Sequence, residues 1–490
     1  MTDTAPPSAT AAAPERLGTG LRVRHLTMMG LGSAIGAGLF VGTGAGIAIA
    51  GPAILVSYAV AGLLVVLVMR MLAEMAAAIP SSGSFSTYAE VGIGRWAGFV
   101  MGWLYWATLI MVLGVEITAA SGIIHGWAPG LPQWLVALVL VAGFAVVNLV
   151  GVRSFGEFEF WFASLKVGVI VVFLVVGTLL ALGLLPGTDP VGTSNLLGNG
   201  GFAPHGLAGV ASGLLVVLFA FGGIEIITIA AAESDDPQRS IATAARSIVW
   251  RILLFYVGSV AIMVLVLPWD SAALVAGEGE SGDGLGGPFV AVLDLVGVPG
   301  LGRIMEVVVV VALLSAFNAN VYGTSRMAFS LAQRGDGPGV LLRVSRQGVP
   351  WTAVVLSVAC ALVSIVLNWA LPAGLLGLLL GAVGSSLVVL WVFIAVSQLR
   401  LRRRLEAEGR LGVRMWAFPY LSWATLGLLA GFVALMLSDA DARGQLASTA
   451  VLCLVLLGLY AVHARRAPAP RPVRAPSGHA PDAAGGQNVG

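Results

Sequence analysis

Three ionisable residues lie alone inside long apolar runs: Glu116, Lys166 and Glu225. A charge at the centre of a lipid-facing helix costs about 3 kcal/mol or more, so such residues turn to a polar interior and are functional by default. Their chemistry would be to hold or pass a proton and to pair with a charged solute. Lys166 is the most informative, because it is the single lysine of the chain and the other 25 basic residues are all arginine. A desolvated lysine can give up its proton, whereas arginine effectively cannot. The competing account is a lysine snorkelling from a helix end, and Lys166 lies only about six residues into its run. Glu116 suits either a structural, hydrogen-bonded acid or a substrate or proton site. Glu157, Glu159 and Glu233 fall near the ends of apolar runs, where pairing with loop arginines is expected. Asn318 and Asn320 suit helix–helix hydrogen bonds or a pocket wall.

Two glycine clusters interrupt apolar runs: GSAIGAG over Gly32–Gly38, and FAFGGIE over Phe219–Glu225, which carries Glu225 itself. Glycine weakens a helix by about 1 kcal/mol relative to alanine. The clusters therefore permit local unwinding, although close helix packing through small residues is the alternative. Interruptions at matching positions of two halves favour unwinding, and point to an inverted-repeat transporter with its site at the bilayer midplane. Unwinding exposes N–H groups at the start of the outer half-helix, which suit a carboxylate. The freed carbonyls at the end of the inner half-helix suit an ammonium group. A zwitterion fits such a pair.

Other chemistries are excluded. GLGSAIG (Gly30–Gly36) resembles a dinucleotide-binding run, but it sits inside an apolar span and no acid follows before Glu74. A phosphate-binding loop needs Gly-Lys-Ser/Thr, and Lys166 stands between Leu165 and Val167. Energy for uphill movement must then come from an ion gradient or a separate subunit. His25, His125, His205, His463 and His479 show no metal-ligand spacing, so no metal or cofactor is implied. Cys360 and Cys453 lie in apolar runs and read as small core residues. A formal charge of only +2 suggests no nucleic-acid partner.

The elements that position these residues must be transmembrane helices. The chain of 490 residues is 58% hydrophobic and 10% charged, with a mean hydropathy of +0.95, whereas soluble domains are about 25% charged. Crossing the hydrocarbon core takes about 20 apolar residues per helix. Strand-like alternation is absent, which excludes a β-barrel. Twelve spans are predicted, near Leu26–Ala50, Ala53–Met71, Gly98–His125, Leu135–Val150, Phe160–Leu185, Leu207–Ala231, Ile248–Leu267, Met305–Leu331, Thr352–Leu371, Leu375–Ser397, Trp416–Leu437 and Leu446–Val462. With the N-terminus inside, every arginine except Arg303 and Arg443 falls in a cytoplasmic segment, as the positive-inside rule expects. The Arg400–Arg404 cluster reads as a solvated loop facing lipid headgroups, and Asp270–Pro288 as an extracellular connector. Residues 1–20 and 464–490 read as disordered cytoplasmic tails.

The ordered segments resemble a known family. RHLTMMGLGSAIGAGLF at the first span, GSFSTYAEVGIGRWAGFVMGWLYW leading into the third, FGEFEFWFASLKV entering the fifth, FAFGGIEIITIAAAESDDPQRSI through the sixth and NVYGTSRMAFSLAQRGDGP closing the eighth are similar to bacterial amino acid permeases. These are the amino acid transporter family of the amino acid–polyamine–organocation superfamily. The resemblance covers about Leu21 to Val462 and implies an all-α, leucine-transporter-type fold. Its inverted repeats would be residues 21–185 and 206–399, with 416–463 forming two peripheral helices. It also implies a multi-pass protein of the bacterial plasma (inner) membrane, with both termini cytoplasmic, that is not an enzyme. By the same resemblance, Ser33, Ala34, Ile35, Gly36, Ala37 and Gly38 would bind the substrate's carboxylate and amino groups. Phe219, Ala220, Phe221, Gly222 and Gly223 would complete the site, with Phe219 at a gating position. Thr108, Leu109, Leu113 and Asn320 would face the substrate side chain, and Glu116 and Glu225 would add acidic contacts. Lys166 matches the lysine that replaces sodium in sodium-coupled relatives. Related transporters often carry tryptophan at the positions of Phe219 and Asn320, so this chain departs from them there.

The expected function is proton-coupled amino acid uptake by alternating access, with Lys166 and Glu225 coupling the proton. The partners are then an amino acid, protons and the lipid bilayer, with the protein a monomer or weak homo-oligomer. The alternatives are a γ-aminobutyrate or cationic amino acid permease, an exchanger, or a receptor that binds without transport.

Overall fold

Lipid offers a backbone no hydrogen-bond partners, so a chain this apolar satisfies its peptide groups within helices. The computed structural model describes residue 28 and residues 35–150, 152–231, 238–239, 241–243, 250–274, 287–370, 375–438 and 440–466. Among these residues the regular structure is entirely helical. The elements that matter for the site are α1 (Thr43–Ala50), α2 (Ile54–Ala78), α3 (Ser84–Gly92), α4 (Arg95–Trp127), α5 (Gln133–Val150), α6 (Val152–Ala181), α7 (Gly206–Ala220) and α8 (Ile226–Ala231). They continue with α9 (Gly258–Val266), α10 (Gly287–Asp294), α11 (Leu301–Gln333), α12 (Trp351–Ala370), α13 (Leu375–Ala407), α14 (Tyr420–Met436) and α15 (Ala440–Arg466). Seven helical stretches are long and apolar enough to cross a membrane, and four shorter apolar helices accompany them. Large apolar side chains such as Val139, Trp161, Leu207 and Leu454 point outward, the pattern of a surface solvated by lipid. The protein is therefore a multi-pass membrane protein.

Two 33-residue helices, α4 and α11, pack along each other at the centre. At 1.5 Å per residue each runs about 50 Å, long enough to cross the bilayer. On one side α1 and α2 lie on α7, and α13 joins α7 to α3 and α4. On the other side α5 and α6 pack against α11, with α12 beside α5.

The helices extend beyond the apolar runs, with three consequences for residues placed by sequence. The Arg400–Arg404 cluster does not form a loop, because α13 continues to Ala407, and Arg402 is buried against Glu74. Helix α2 continues past Met71 to Ala78, so Glu74 is a fully buried residue. Helix α6 begins at Val152, not near Phe160, so Glu159 stands about two turns inside it. Helix α3, for which the apolar runs give no signal, packs on α4 and α13. It is tied to the end of α11 by Arg334–Glu90 at 2.8 Å. Helix α15 runs to Arg466, into the stretch read from sequence as the second tail; Ser33, Ala34, Glu233, the first tail, residues 467–490 and most of the Asp270–Pro288 connector lie outside the described residues.

Candidate functional site: buried acids at two helix interruptions

The glycine-rich segments depart from α-helix where their composition permits. At the first, Ile35 and Gly36 are non-helical, and the chain then enters a π-turn over Gly38–Gly42 before α1. Such π-turns are frequent at functional positions. At the second, α7 stops at Ala220, residues 221–225 form turns, and α8 resumes at Ile226. Gly223 takes φ +89°, a left-handed conformation that glycine adopts without strain. The two interruptions touch: a Cβ on Gly38 would fall 3.0 Å from the Ala220 backbone nitrogen.

Glu116 reaches the first interruption from α4. Both of its carboxylate oxygens accept the Ala37 backbone N–H, at 3.1 Å each. The approach is possible because Gly36 lacks a side chain, since a Cβ there would run into the Glu116 carboxylate and lie 2.7 Å from the Ala316 Cβ. The Leu39 and Phe40 amides are satisfied by the Gly36 carbonyl. Glu116 thus takes the N–H that opens this half-helix, the group suited to an anion.

Glu225 belongs to the second interruption. Trp391 of α13 donates its indole N–H to Glu225 Oε1 at 3.2 Å, and the Gly223 N–H donates to Oε2 at 3.1 Å. Arg251 and Tyr105 are in electrostatic reach of it. The fully buried Lys166 on α6 is instead in electrostatic reach of Glu116 and Glu159. Glu159, expected to pair with loop arginines, is fully buried and accepts the Ser315 hydroxyl at 3.0–3.1 Å.

Most of the remaining residues named from the sequence are buried. Ile35, Leu109, Leu113, Phe219, Ala220 and Phe221 are buried, and Phe221 meets the rings of Tyr58 and Tyr256. The Gly222 N–H donates to the Phe219 carbonyl. Thr108 donates to Leu104 within its own helix. Asn320 donates through Nδ2 to Ala316, while among the described residues its Oδ1 is buried without a hydrogen-bond partner, as is the Tyr105 hydroxyl. Asn318 takes the helix–helix role, its Oδ1 accepting from Asn148 Nδ2 at 2.7 Å. Sequence reasoning missed Tyr105 and Trp391, which read as ordinary helix aromatics. It also missed the burial of Glu159, for which the only signal is its spacing of seven residues from Lys166 on one helix face.

Buried acids at touching helix interruptions in a multi-pass helical protein suit contact with a small charged solute. The amino acid permease family matches residues 25–469, so the chain belongs to that family. It is 55% identical over 456 residues to the aromatic amino acid transport protein AroP of Corynebacterium glutamicum, covering 92% of this chain and 97% of that one. It is 44% identical over 448 residues to the gamma-aminobutyric acid permease of Bacillus subtilis, covering 91% and 93%. To the gamma-aminobutyric acid permease of Escherichia coli K12 it is 41% identical over 453 residues, covering 92% and 95%.

Proposed function

We propose that this permease takes up aromatic amino acids together with protons, by alternating access in the bacterial inner membrane. The observation that carries the reading is Glu116 seated on the Ala37 N–H, with Lys166 in electrostatic reach of it. The substrate's carboxylate needs that amide, and an ionised Glu116 competes for it. A proton delivered to Glu116 neutralises it and releases the amide, so proton and substrate load together. The substrate's ammonium then meets carbonyls at the interruptions, the α7 end having the helix polarity that suits a cation. Ser33 to Gly38 and Phe219 to Gly223 form the binding segments, and Thr108, Leu109, Leu113 and Asn320 line the side-chain end. Lys166 carries the coupling proton with Glu116. Glu225, held at the other interruption by Trp391 and the Gly223 N–H, is the second coupling carboxylate.

The accompanying architecture is twelve spans in a leucine-transporter-type arrangement, with repeats over 21–185 and 206–399, two peripheral helices within 416–463, and both termini cytoplasmic. The arginine distribution and the recurrence of an interruption in each half support it. The aromatic substrate class follows the 55% identical relative. γ-Aminobutyrate is the second reading, favoured by the two permeases at 44% and 41% identity. Uptake of a labelled amino acid panel into proteoliposomes, with and without an inward proton gradient, decides between them. Gradient-stimulated accumulation of phenylalanine, tyrosine or tryptophan is expected. Uptake that needs internal counter-substrate would make the protein an exchanger, and binding without uptake would make it a receptor.

A further inference from the structure

Glu159 is a buried acid with no task in the uptake cycle proposed so far. It sits seven residues before Lys166 on α6, two turns that bring both side chains to one face about 10.5 Å apart along the axis. Long side chains reach toward each other over that interval, and Lys166 is in electrostatic reach of both Glu159 and Glu116. Apart from Lys166, the groups that face Glu159 among the described residues are polar and neutral. Ser315 of α11 donates to both its oxygens, and Asn318, one turn further along α11, also faces it. Asn318 in turn accepts from Asn148 near the end of α5. Among the described residues no arginine forms an ion pair with Glu159. A buried carboxylate hydrogen-bonded by hydroxyl and amide groups, with a lysine in reach instead of a bonded arginine, is less firmly held as an anion than one in an arginine pair.

From Lys166, Glu159 lies toward the Val152 end of α6, with Ser315 bonded to it and the Asn318–Asn148 pair beside it near the end of α5. In the proposed orientation that end faces the cytoplasm.

We propose that Glu159 is the proton acceptor between Lys166 and the cytoplasm. The inference rests on the proton-coupled reading and names the exit route within it. Once substrate has left, the Lys166 ammonium passes a proton to the Glu159 carboxylate, leaving a neutral amine and a carboxylic acid. The amine takes the proton held by Glu116, which becomes a carboxylate again and recaptures the Ala37 N–H. Glu159 then loses its proton to cytoplasmic water past Asn318 and Asn148. One proton leaves to the cytoplasm, Lys166 and Glu159 regain their charges, and Glu116 is again the carboxylate it was before loading.

The test compares wild type, Glu159→Gln and Glu159→Asp in proteoliposomes, by two readouts in the same vesicles. The first is accumulation of labelled phenylalanine driven by an inward proton gradient. The second is exchange of internal for external phenylalanine at equal pH, which needs no net proton release. Glutamine keeps the Ser315 hydrogen bond but cannot take a proton, so accumulation is expected to fall about 100-fold while exchange persists. Aspartate still titrates and is expected to restore accumulation in part. Accumulation by Glu159→Gln at the wild-type level would overturn the proposal and leave proton coupling standing. Loss of exchange along with accumulation would make Glu159 a structural carboxylate and overturn it too. A wild-type protein whose accumulation ignores the gradient would remove the proton-coupled reading, and this route with it.

Discussion

The Glu116 carboxylate and the Ala37 backbone N–H, 79 residues apart in the chain, meet at 3.1 Å through both carboxylate oxygens. A charge-assisted hydrogen bond contributes about 1.5–3 kcal/mol, against about 1 kcal/mol for a neutral one. On the proposed reading, Glu116 is a removable plug on the amide that a substrate carboxylate requires. Glu116→Gln copies the protonated acid and holds the amide more weakly. Phenylalanine is expected to bind this variant about tenfold more tightly at alkaline pH, with the pH dependence of binding flattened and accumulation lost. Binding by calorimetry across a pH series checks this, and an unchanged pH dependence would contradict it.

Lys166→Arg tests whether the lysine must lose its charge. Arginine keeps the cation but does not release its proton. Gradient-driven accumulation is expected to disappear while substrate binding remains, as measured by uptake and calorimetry on the same preparation. Intact accumulation would remove Lys166 from the proton route.

The glycines of the first interruption should be intolerant for a steric reason. A Cβ at Gly36 strikes Glu116 and Ala316, and one at Gly38 strikes the backbone of Ala220. Overpacking of this kind costs about 1–3 kcal/mol, and at Gly38 it also pushes the two interruptions apart. Gly36→Ala and Gly38→Ala are expected to lose uptake and to lower the melting temperature in detergent. Gly143→Ala and Gly168→Ala, whose added Cβ meets nothing within 4 Å, should behave as wild type.

A second buried acid is structural. Glu74 accepts from Gln398 Nε2 at 2.8 Å and from the Met415 N–H at 2.6 Å, and pairs with Arg402, so it binds α2 to α13 and to the segment leading into α14. Ser422 of α14 extends the cluster by donating to Gln398 Oε1 at 2.9 Å. Glu74→Leu leaves Arg402 buried without that partner, a change that costs about 3–5 kcal/mol. A large drop in the melting temperature of purified protein is expected, whereas Glu408→Gln, at an exposed ion pair with Arg404, should leave it unchanged.

The sequence showed where helices would be interrupted and which charges would be buried, because glycine clusters and isolated ionisable residues are local signals in an apolar chain. The burial of Glu116, Lys166 and Glu225 and the departure from α-helix at both clusters were legible in that way. Partners were not. The Ala37–Glu116 contact and the Trp391–Glu225 contact, between residues 166 apart, depend on how helices pack, and no local pattern encodes that. Helix ends misled in a consistent direction. Glu74, Glu159 and Arg402 lie beyond the apolar runs, yet their helices continue and bury them, because polar residues paired across helices can extend a span past its hydrophobic core.

The central claim is that substrate and proton enter together. Its most direct measurement uses proteoliposomes with a pH-sensitive dye trapped inside, no imposed pH gradient, and the membrane potential clamped at zero by potassium and valinomycin. Adding phenylalanine outside should acidify the lumen at a rate that tracks labelled uptake, with Lys166→Arg vesicles showing no acidification. Uptake of phenylalanine with no change in internal pH would contradict proton coupling and, with it, the proton-carrying roles of Glu116 and Lys166.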